Sequence, residues 1–448
     1  MGLTLKQRAM TAGSWSILGY GVSIVLRFAS TLVMTRLLAP EMFGIMAIAG
    51  MVTMILSLLS DIGLSQHIVQ SPRGDDPSFL DTVWVVQIIR GIILWLASLL
   101  LSLGLYYMGH HGMLLAESVY AAEALPTVIA VSSLVAVIAG FQSTRMPSAH
   151  RGFDQKRLTQ IDLVGQVAGL VVMIAIGIQT GSIWALVAGA LVVALTKTTL
   201  SHYWMSGHPN RFRLERHALS ELVGFGKWVF VSSAVGVLAV NGDRLLLGAL
   251  VDPYVLGLYS IALLIVGAIE GGLSRLFMTV SLPVLSEIYR GDPSRLREIY
   301  YKLRLPGDLL LLFMAGLLFA SGQIIVDLLY DARYSAAGSM LQVLALSLFA
   351  VRYGIANQLY LAVGKPRYLA IINVVRIVSL YALIPTLFHI GGIHAATWGI
   401  ALHAMLTIPF VHYFNASLNL NDWWREAMVL PALPFGYLCG FVLNQAMR

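Results

Sequence analysis

A chain of 448 residues that is 58% hydrophobic and only 11% charged is not a soluble enzyme, since soluble domains carry about 25% charged residues. Its mean hydropathy of +0.79 agrees, and the lone Cys439 leaves neither a disulfide framework nor a cysteine metal site within one chain. The formal charge of +7 fits loops facing anionic lipid and not nucleic acid, because the apolar residues fall in runs of bilayer-crossing length.

Lys6 and Arg8 precede an apolar run too long for a signal-sequence core and without a small-residue cleavage pattern, so it reads as a retained first helix. Apolar windows of about 20 residues predict spans near 13–35, 43–66, 83–105, 124–142, 158–178 and 182–204. A second set follows near 222–248, 254–282, 305–327, 338–363, 367–388 and 393–414. A last segment near 427–446 contains Pro431 and Pro434 and reads as a further span or as a hairpin that dips into the membrane. Met205 to Ser220 joins the two sets. Its Arg211, Arg213 and Arg216 beside Phe212 and Leu214 suggest a short amphipathic elbow on the membrane surface.

The two sets repeat each other at an offset of 213 residues without a gap. Gly13 and Trp15 recur as Gly226 and Trp228, Pro40 and Gly44 as Pro253 and Gly257, and Ile48-Ala49 as Ile261-Ala262. A duplicated helical bundle in a membrane is the architecture of a transporter. The expected fold is therefore an all-α integral membrane protein with two pseudo-symmetric six-helix lobes around a central cavity. The N-lobe covers 1–210, the C-lobe 211–415, and 416–448 is an extra hydrophobic segment. Basic residues set the orientation. With a cytoplasmic N-terminus, 18 Lys and Arg residues, Arg304 and Arg425 among them, face the cytoplasm against Arg36, Arg333 and Arg448 outside.

Eight cations remain within the predicted spans: Arg27, Arg90, Lys197, Lys227, Arg244, Arg275, Arg352 and Arg376. Lys197, Lys227 and Arg275 lie within two turns of a cytoplasmic end, where snorkelling accounts for them. Arg244 follows Asp243, a local ion-pair partner. Arg27, Arg352 and Arg376 fall mid-span, where a charge costs at least about 2.5–3.5 kcal/mol and usually faces a cavity. Ser16, Tyr20, Ser23, Arg27 and Thr31 form one polar stripe along the first helix. Asn373 with Arg376, and Gln87 with Arg90, share helix faces at three residues' spacing. The acids within spans are Asp61, Asp162, Asp243 and Glu270. Glu270, the deepest, sits among Gly267, Gly271 and Gly272; it is a candidate for a coupling proton or Na⁺, or for an ion pair with an arginine. The positive interior suits an anionic substrate such as a diphosphate, which guanidinium groups bind through paired hydrogen bonds.

Enzyme signatures are missing: the sequence has no G-x-x-x-x-G-K-[ST] phosphate loop and no H-E-x-x-H spacing. The scattered histidines, His110, His111, His389, His394, His403 and His412, read as interfacial or packing residues. The chain reads as a non-enzyme without a cofactor.

The first helix, then Thr35-Arg36-Leu37-Leu38-Ala39-Pro40-Glu41-Met42-Phe43-Gly44, then Asp61-Ile62-Gly63-Leu64, resembles the polysaccharide transporter family. These are the Wzx-like oligosaccharide flippases of the multidrug/oligosaccharidyl-lipid/polysaccharide (MOP) superfamily, with a MATE/MurJ-like fold. The resemblance covers most of the chain. It implies a flippase that moves an undecaprenyl-diphosphate-linked oligosaccharide from the cytoplasmic to the periplasmic leaflet of the bacterial inner membrane, by alternating access coupled to a cation gradient. It implies membrane lipids and the polysaccharide polymerase and export machinery as partners. Arg27, Arg352 and Arg376 would hold the diphosphate, with Arg90 and Lys227 attracting it at the mouth and Tyr20, Ser23 and Asn373 lining the cavity. Glu270 or Asp61 would bind the coupling ion. The rival readings are a multidrug/cation antiporter or a lipid II flippase of the same superfamily. Full-length relatives often have 14 spans, so the role of Asp422 to Arg448 stays open at this stage.

Overall fold

The computed structural model describes residues 5–60, 63–219, 222 and 241–447. Among these, every regular element is helical. The first helices are α1 (Leu5–Leu37), α2 (Pro40–Leu59), α3 (Leu64–Gln70), α4 (Pro77–His110), α5 (Ala124–Ser132), α6 (Leu134–Gly140), α7 (Arg145–Arg151), α8 (Gln155–Thr180) and α9 (Trp184–Tyr203). After them come α10 (Pro253–Gly291), α11 (Leu296–Leu329), α12 (Ala337–Ala345), α13 (Leu348–Val351), α14 (Gly354–Ala362), α15 (Pro366–Leu402), α16 (Ile408–Ala416), α17 (Trp423–Met428) and α18 (Ala432–Ala446).

Among the described residues, ten helical stretches are long and apolar enough to cross a membrane, or eleven if the pair Ala124–Gly140 and Arg145–Arg151, bent by 62°, forms one broken span. The sequence predicts 12 or 13, and the difference has two further sources. One stretch of 51 residues, Pro366–Ala416, is interrupted at Gly391 and Gly392, where Gly392 takes φ 63°. That is where the sequence places a turn between two spans, and only glycine enters this backbone region freely. The span near 222–248 falls largely outside the described residues, as do Gly226 and Trp228 of the repeat.

The chain forms two compact units, Met1–Leu256 and Gly257–Arg448. In the first, α1 packs on α8, α8 on α9, and α4 on α5 and α6. The segment that the sequence places at the joint of the lobes is tied into this unit. Asn210 bonds Ser143 and Thr144, and Asp81 accepts from His208 and from the Arg211 amide. Thr82 accepts from the Glu215 amide, and Arg73 pairs with Glu215 at 2.8 Å. Residues 211–215 are an extended strap and not a helix, because these polar groups capture its backbone.

Two of the repeated pairs have a physical role in the structure. Pro40 and Pro253 open α2 and α10, where a missing N–H is harmless and φ is already helical. Ile48, Ala49, Ile261 and Ala262 are all at most 2% exposed.

The segment near 427–446 forms α17 and α18, together a 24-residue apolar stretch long enough to span, with Pro431 between the two helices. α18 lies directly against α11. A Cβ at Gly316 would stand 2.0 Å from the Leu433 carbonyl oxygen, one at Gly436 2.0 Å from that of Phe313, and one at Gly440 2.5 Å from that of Leu317. Gly436 and Gly440 form a G-x-x-x-G pair, which lets backbones touch where lipid offers no hydrophobic drive for association.

Candidate functional site

The second unit holds a cavity of 440 Å³ between α10, the broken run α13–α14, and α15. Glu270 lines it from α10, Asn357 and Gln358 from α14, Asn373 and Arg376 from α15, with Tyr353 at the break between α13 and α14. The helical spacing of Asn373 and Arg376 puts both on the cavity wall. Arg376 is half-buried, and its Nε is fully buried with no hydrogen-bond partner. A buried guanidinium nitrogen left unpaired costs a good deal, so the wall presents a cation in want of an anion. Glu270 opens onto the same space and forms no ion pair with it or with any other described residue. The cavity thus combines one guanidinium, one carboxylate and three carboxamides, groups able to hold phosphate oxygens, a cation and sugar hydroxyls.

Arg352 lies elsewhere. The sequence sets it beside Arg376 in a cavity; in the structure it is 2% exposed and paired with Glu426 at 2.7 Å. Glu426 also accepts Arg304, through Oε1 at 2.6 Å and Oε2 at 3.2 Å. Arg304 reaches Asp308 one turn on, at 2.9 Å. Two guanidiniums and two carboxylates, each less than a tenth exposed, give a neutral cluster, the condition under which charges persist out of water. Aromatic rings complete the cage, with Tyr300, Tyr301 and Tyr353 facing Arg304 and Phe349 and Tyr353 facing Arg352. Tyr353 joins this cluster to the cavity. Tyr353 lines the cavity while its hydroxyl accepts from Arg352 at 2.6 Å and lies 3.3 Å from both Glu426 and His412.

The sequence places Arg304 on the cytoplasmic side, just outside the span near 305–327. α11 begins at Leu296, so Arg304 sits more than two turns inside the helix and is fully buried. The signal available was Tyr300, Arg304 and Asp308 at four-residue steps, one helix face.

In the first unit, Ser23 accepts from Gln166 of α8 at 2.9 Å, so this part of the polar stripe serves helix packing. Tyr20 is half-buried, and Arg27 is exposed on the same helix. No described side chain makes a hydrogen bond or ion pair with the Arg27 guanidinium. Arg90 has a structural occupation: Nη2 donates to the Ser57 carbonyl at 2.6 Å and Nε to the Ser60 hydroxyl at 2.9 Å, closing the C-terminal end of α2. Gln87 does the same for α6, donating to the carbonyls of Ala139, Gly140 and Gln142. Helix ends leave such carbonyls open, and a cation there also meets the negative end of the helix dipole. Both residues border a cavity of 210 Å³. Lys197 pairs with Asp162 at 2.6 Å. Lys227 and Asp61 lie outside the described residues.

The helical architecture and this intramembrane polar site define a multi-pass membrane protein with the fold of MOP-superfamily transporters. A lipid II flippase, MurJ, in an inward closed conformation superposes with a TM-score of 0.70 over 96% of this chain and 92% of that one, at 12% identity. An inward-facing multidrug resistance MATE family transporter gives 0.67 over 88% and 94%, at 15% identity. The sequence profile of the polysaccharide biosynthesis protein family matches residues 33–339, and the chain belongs to that family. Among its relatives, an uncharacterized membrane protein in the cps region of Klebsiella pneumoniae is 23% identical over 305 residues, 67% of this chain and 60% of that protein. The lipopolysaccharide biosynthesis protein WzxC of Escherichia coli is 21% identical over 99% of this chain and 89% of its own length. The succinoglycan biosynthesis transport protein ExoT of Rhizobium meliloti is 21% identical over 77% of this chain and 67% of its own length.

Proposed function

We propose that this protein is a flippase of the bacterial inner membrane that moves a lipid-diphosphate-linked oligosaccharide from the cytoplasmic to the periplasmic leaflet, with its N-terminus in the cytoplasm. The observation that carries the reading is the 440 Å³ cavity in the second unit, where Arg376 offers a guanidinium whose buried Nε has no partner. Arg376 takes phosphate oxygens and Asn357, Gln358 and Asn373 take sugar hydroxyls, while Arg27 is an exposed cation of the first unit. Transport proceeds by alternating access of the duplicated lobes, without ATP and without bond chemistry. The potential across the membrane supplies about 2.3 kcal/mol per charge per 100 mV, and Glu270 is the place for a coupling proton or Na⁺. The names of WzxC and ExoT, which place them in polysaccharide biosynthesis, support the substrate class.

Arg352 leaves the list of proposed substrate ligands, because its charge is already met by Glu426. A cation antiporter is the second reading, favoured by the Glu270 carboxylate in the same cavity.

The test is restoration of surface polysaccharide in a host whose own flippase gene is deleted, with protein level measured in parallel. Arg376→Ala and Arg27→Ala are expected to lower export at least tenfold at unchanged protein level, with Arg376→Lys intermediate because a point charge replaces a fork. Full export by both alanine variants would overturn the cationic site. Organic-cation efflux that depends on Glu270 and not on Arg376 would move the protein to the antiporter class.

A further inference from the structure

We propose that the strap after α9 is a docking surface for anionic phospholipid headgroups, separate from the transport cavity and independent of the substrate it carries. The backbone of the strap is held from inside. Asp81 accepts from the Arg211 amide at 2.9 Å and Thr82 from the Glu215 amide at 3.0 Å, while the side chain of Asn210, at the start of the strap, accepts from the Ser143 hydroxyl at 2.7 Å. The residues between these anchors face outward: Phe212 is 75% exposed and Leu214 53%. Arg211, Arg213 and Arg216 are exposed as well, and their guanidiniums make no ion pair or hydrogen bond with any described residue. The acid within the strap, Glu215, is already taken by Arg73, with both oxygens within 3.0 Å. Three free guanidiniums thus alternate with exposed apolar side chains on a pinned backbone.

The place in the chain says what covers this surface. α9 is a candidate membrane span ending at Tyr203, and Tyr203, 87% exposed, and Trp204, 45% exposed, lie at that end. Aromatic residues at a span end mark the headgroup level of a bilayer. Phe212, whose ring lies 4.8 Å from that of Trp84, and Leu214 would sit among acyl chains, while the arginines meet phosphates. Each arginine near an anionic surface contributes about 1 kcal/mol, or roughly fivefold in lipid preference.

The experiment is native mass spectrometry of the full chain offered equal amounts of phosphatidylglycerol and phosphatidylethanolamine. Wild type is expected to retain phosphatidylglycerol preferentially at low salt and to lose the preference as salt rises. The Arg211→Gln/Arg213→Gln/Arg216→Gln variant is expected to lose at least tenfold in that preference, and the three lysine replacements to keep it. Substituting the exposed Arg290, Arg295 and Lys302 by Gln serves as the control and is expected to change it less than threefold. An equal preference in wild type and the triple glutamine variant, or an equal loss in the control, would overturn the proposal. So would displacement of the retained lipid by millimolar inorganic phosphate, which would mark a free-phosphate site. Should the glutamine variant fail to fold, a salt-insensitive preference in wild type refutes it equally.

Discussion

Glu426 faces two arginines, Arg304 and Arg352, that are each at most 2% exposed. Glu426→Ala leaves Arg352 without a carboxylate and Arg304 with Asp308 alone. The expected destabilisation is about 3–5 kcal/mol, the usual cost of unpairing a buried charge. Thermal unfolding in detergent checks it, and a variant as stable as wild type would show that water or another group solvates the arginines. Replacing Arg304, Asp308, Arg352 and Glu426 together by apolar residues of similar volume is expected to cost far less than Glu426→Ala alone. A milder pairing lies outside the spans, where Arg73 bonds Asp76 at 2.6 Å and holds its carboxyl below the ordinary value. A depressed carboxyl stabilises the fold above its unfolded pKa, about 3.9, and that contribution fades as pH falls through the lower folded value. Asp76→Asn is therefore expected to narrow the stability difference between neutral and acid pH, modestly, because the pair is partly exposed and salt-screened. Of these residues, Asn373, Arg376 and Glu270 were legible in the sequence, because a polar group in an apolar run advertises itself. The Arg304–Glu426 pair was not. Its partners are 122 residues apart, the hydropathy edge left Arg304 just outside a predicted span, and nothing in composition tells which acid answers which arginine.

At the scale of elements, breaks matter as much as helices. α13 and α14 are short pieces of one apolar stretch, and the break between them turns Arg352 into the cluster and Tyr353 toward the cavity. The spans themselves were readable from hydropathy, as were the proline starts of α2 and α10. The broken run α5–α6–α7 was not, because the carbonyls it frees are satisfied by Gln87, distant in sequence. The contact of α11 with α18 depends on the absence of side chains at Gly316, Gly436 and Gly440. Gly436→Leu must push the helices apart, since even a Cβ would stand 2.0 Å from a backbone oxygen. The lone cysteine lies between Gly436 and Gly440 on α18 and is half-buried. Maleimide labelling of Cys439 in the folded protein is expected to quicken several-fold in Gly436→Leu, with Gly436→Ala between. An unchanged rate would mean that α18 does not lean on α11 as described.

For the molecule as a whole, the segment after Ala416 is an integral part of the second unit, and it contributes in two separable ways. It supplies Glu426 to a cluster whose arginines come from α11 and from the α13–α14 break, and it supplies the glycine face of α18 to α11. A chain ending at Ser417 loses both. It leaves the buried Arg352 without a carboxylate and Arg304 with Asp308 alone, a penalty of several kcal/mol, and bares the apolar flank of α11. Such a chain is expected not to accumulate in the membrane. Adding Arg304→Met, Asp308→Leu and Arg352→Met to the truncated chain removes the rest of the charge cluster and leaves the packing loss, so partial recovery of protein level is expected. Quantitative immunoblotting of membrane fractions distinguishes the two contributions. Full accumulation of the simple truncation would show that neither contribution is needed for folding. No recovery on removing these charges would place the whole requirement on the α11–α18 contact. Recovery of protein without export would have a third meaning: Tyr353, held by Arg352 and Glu426, lines the proposed substrate cavity, and a cavity wall that has lost its anchor folds without transporting.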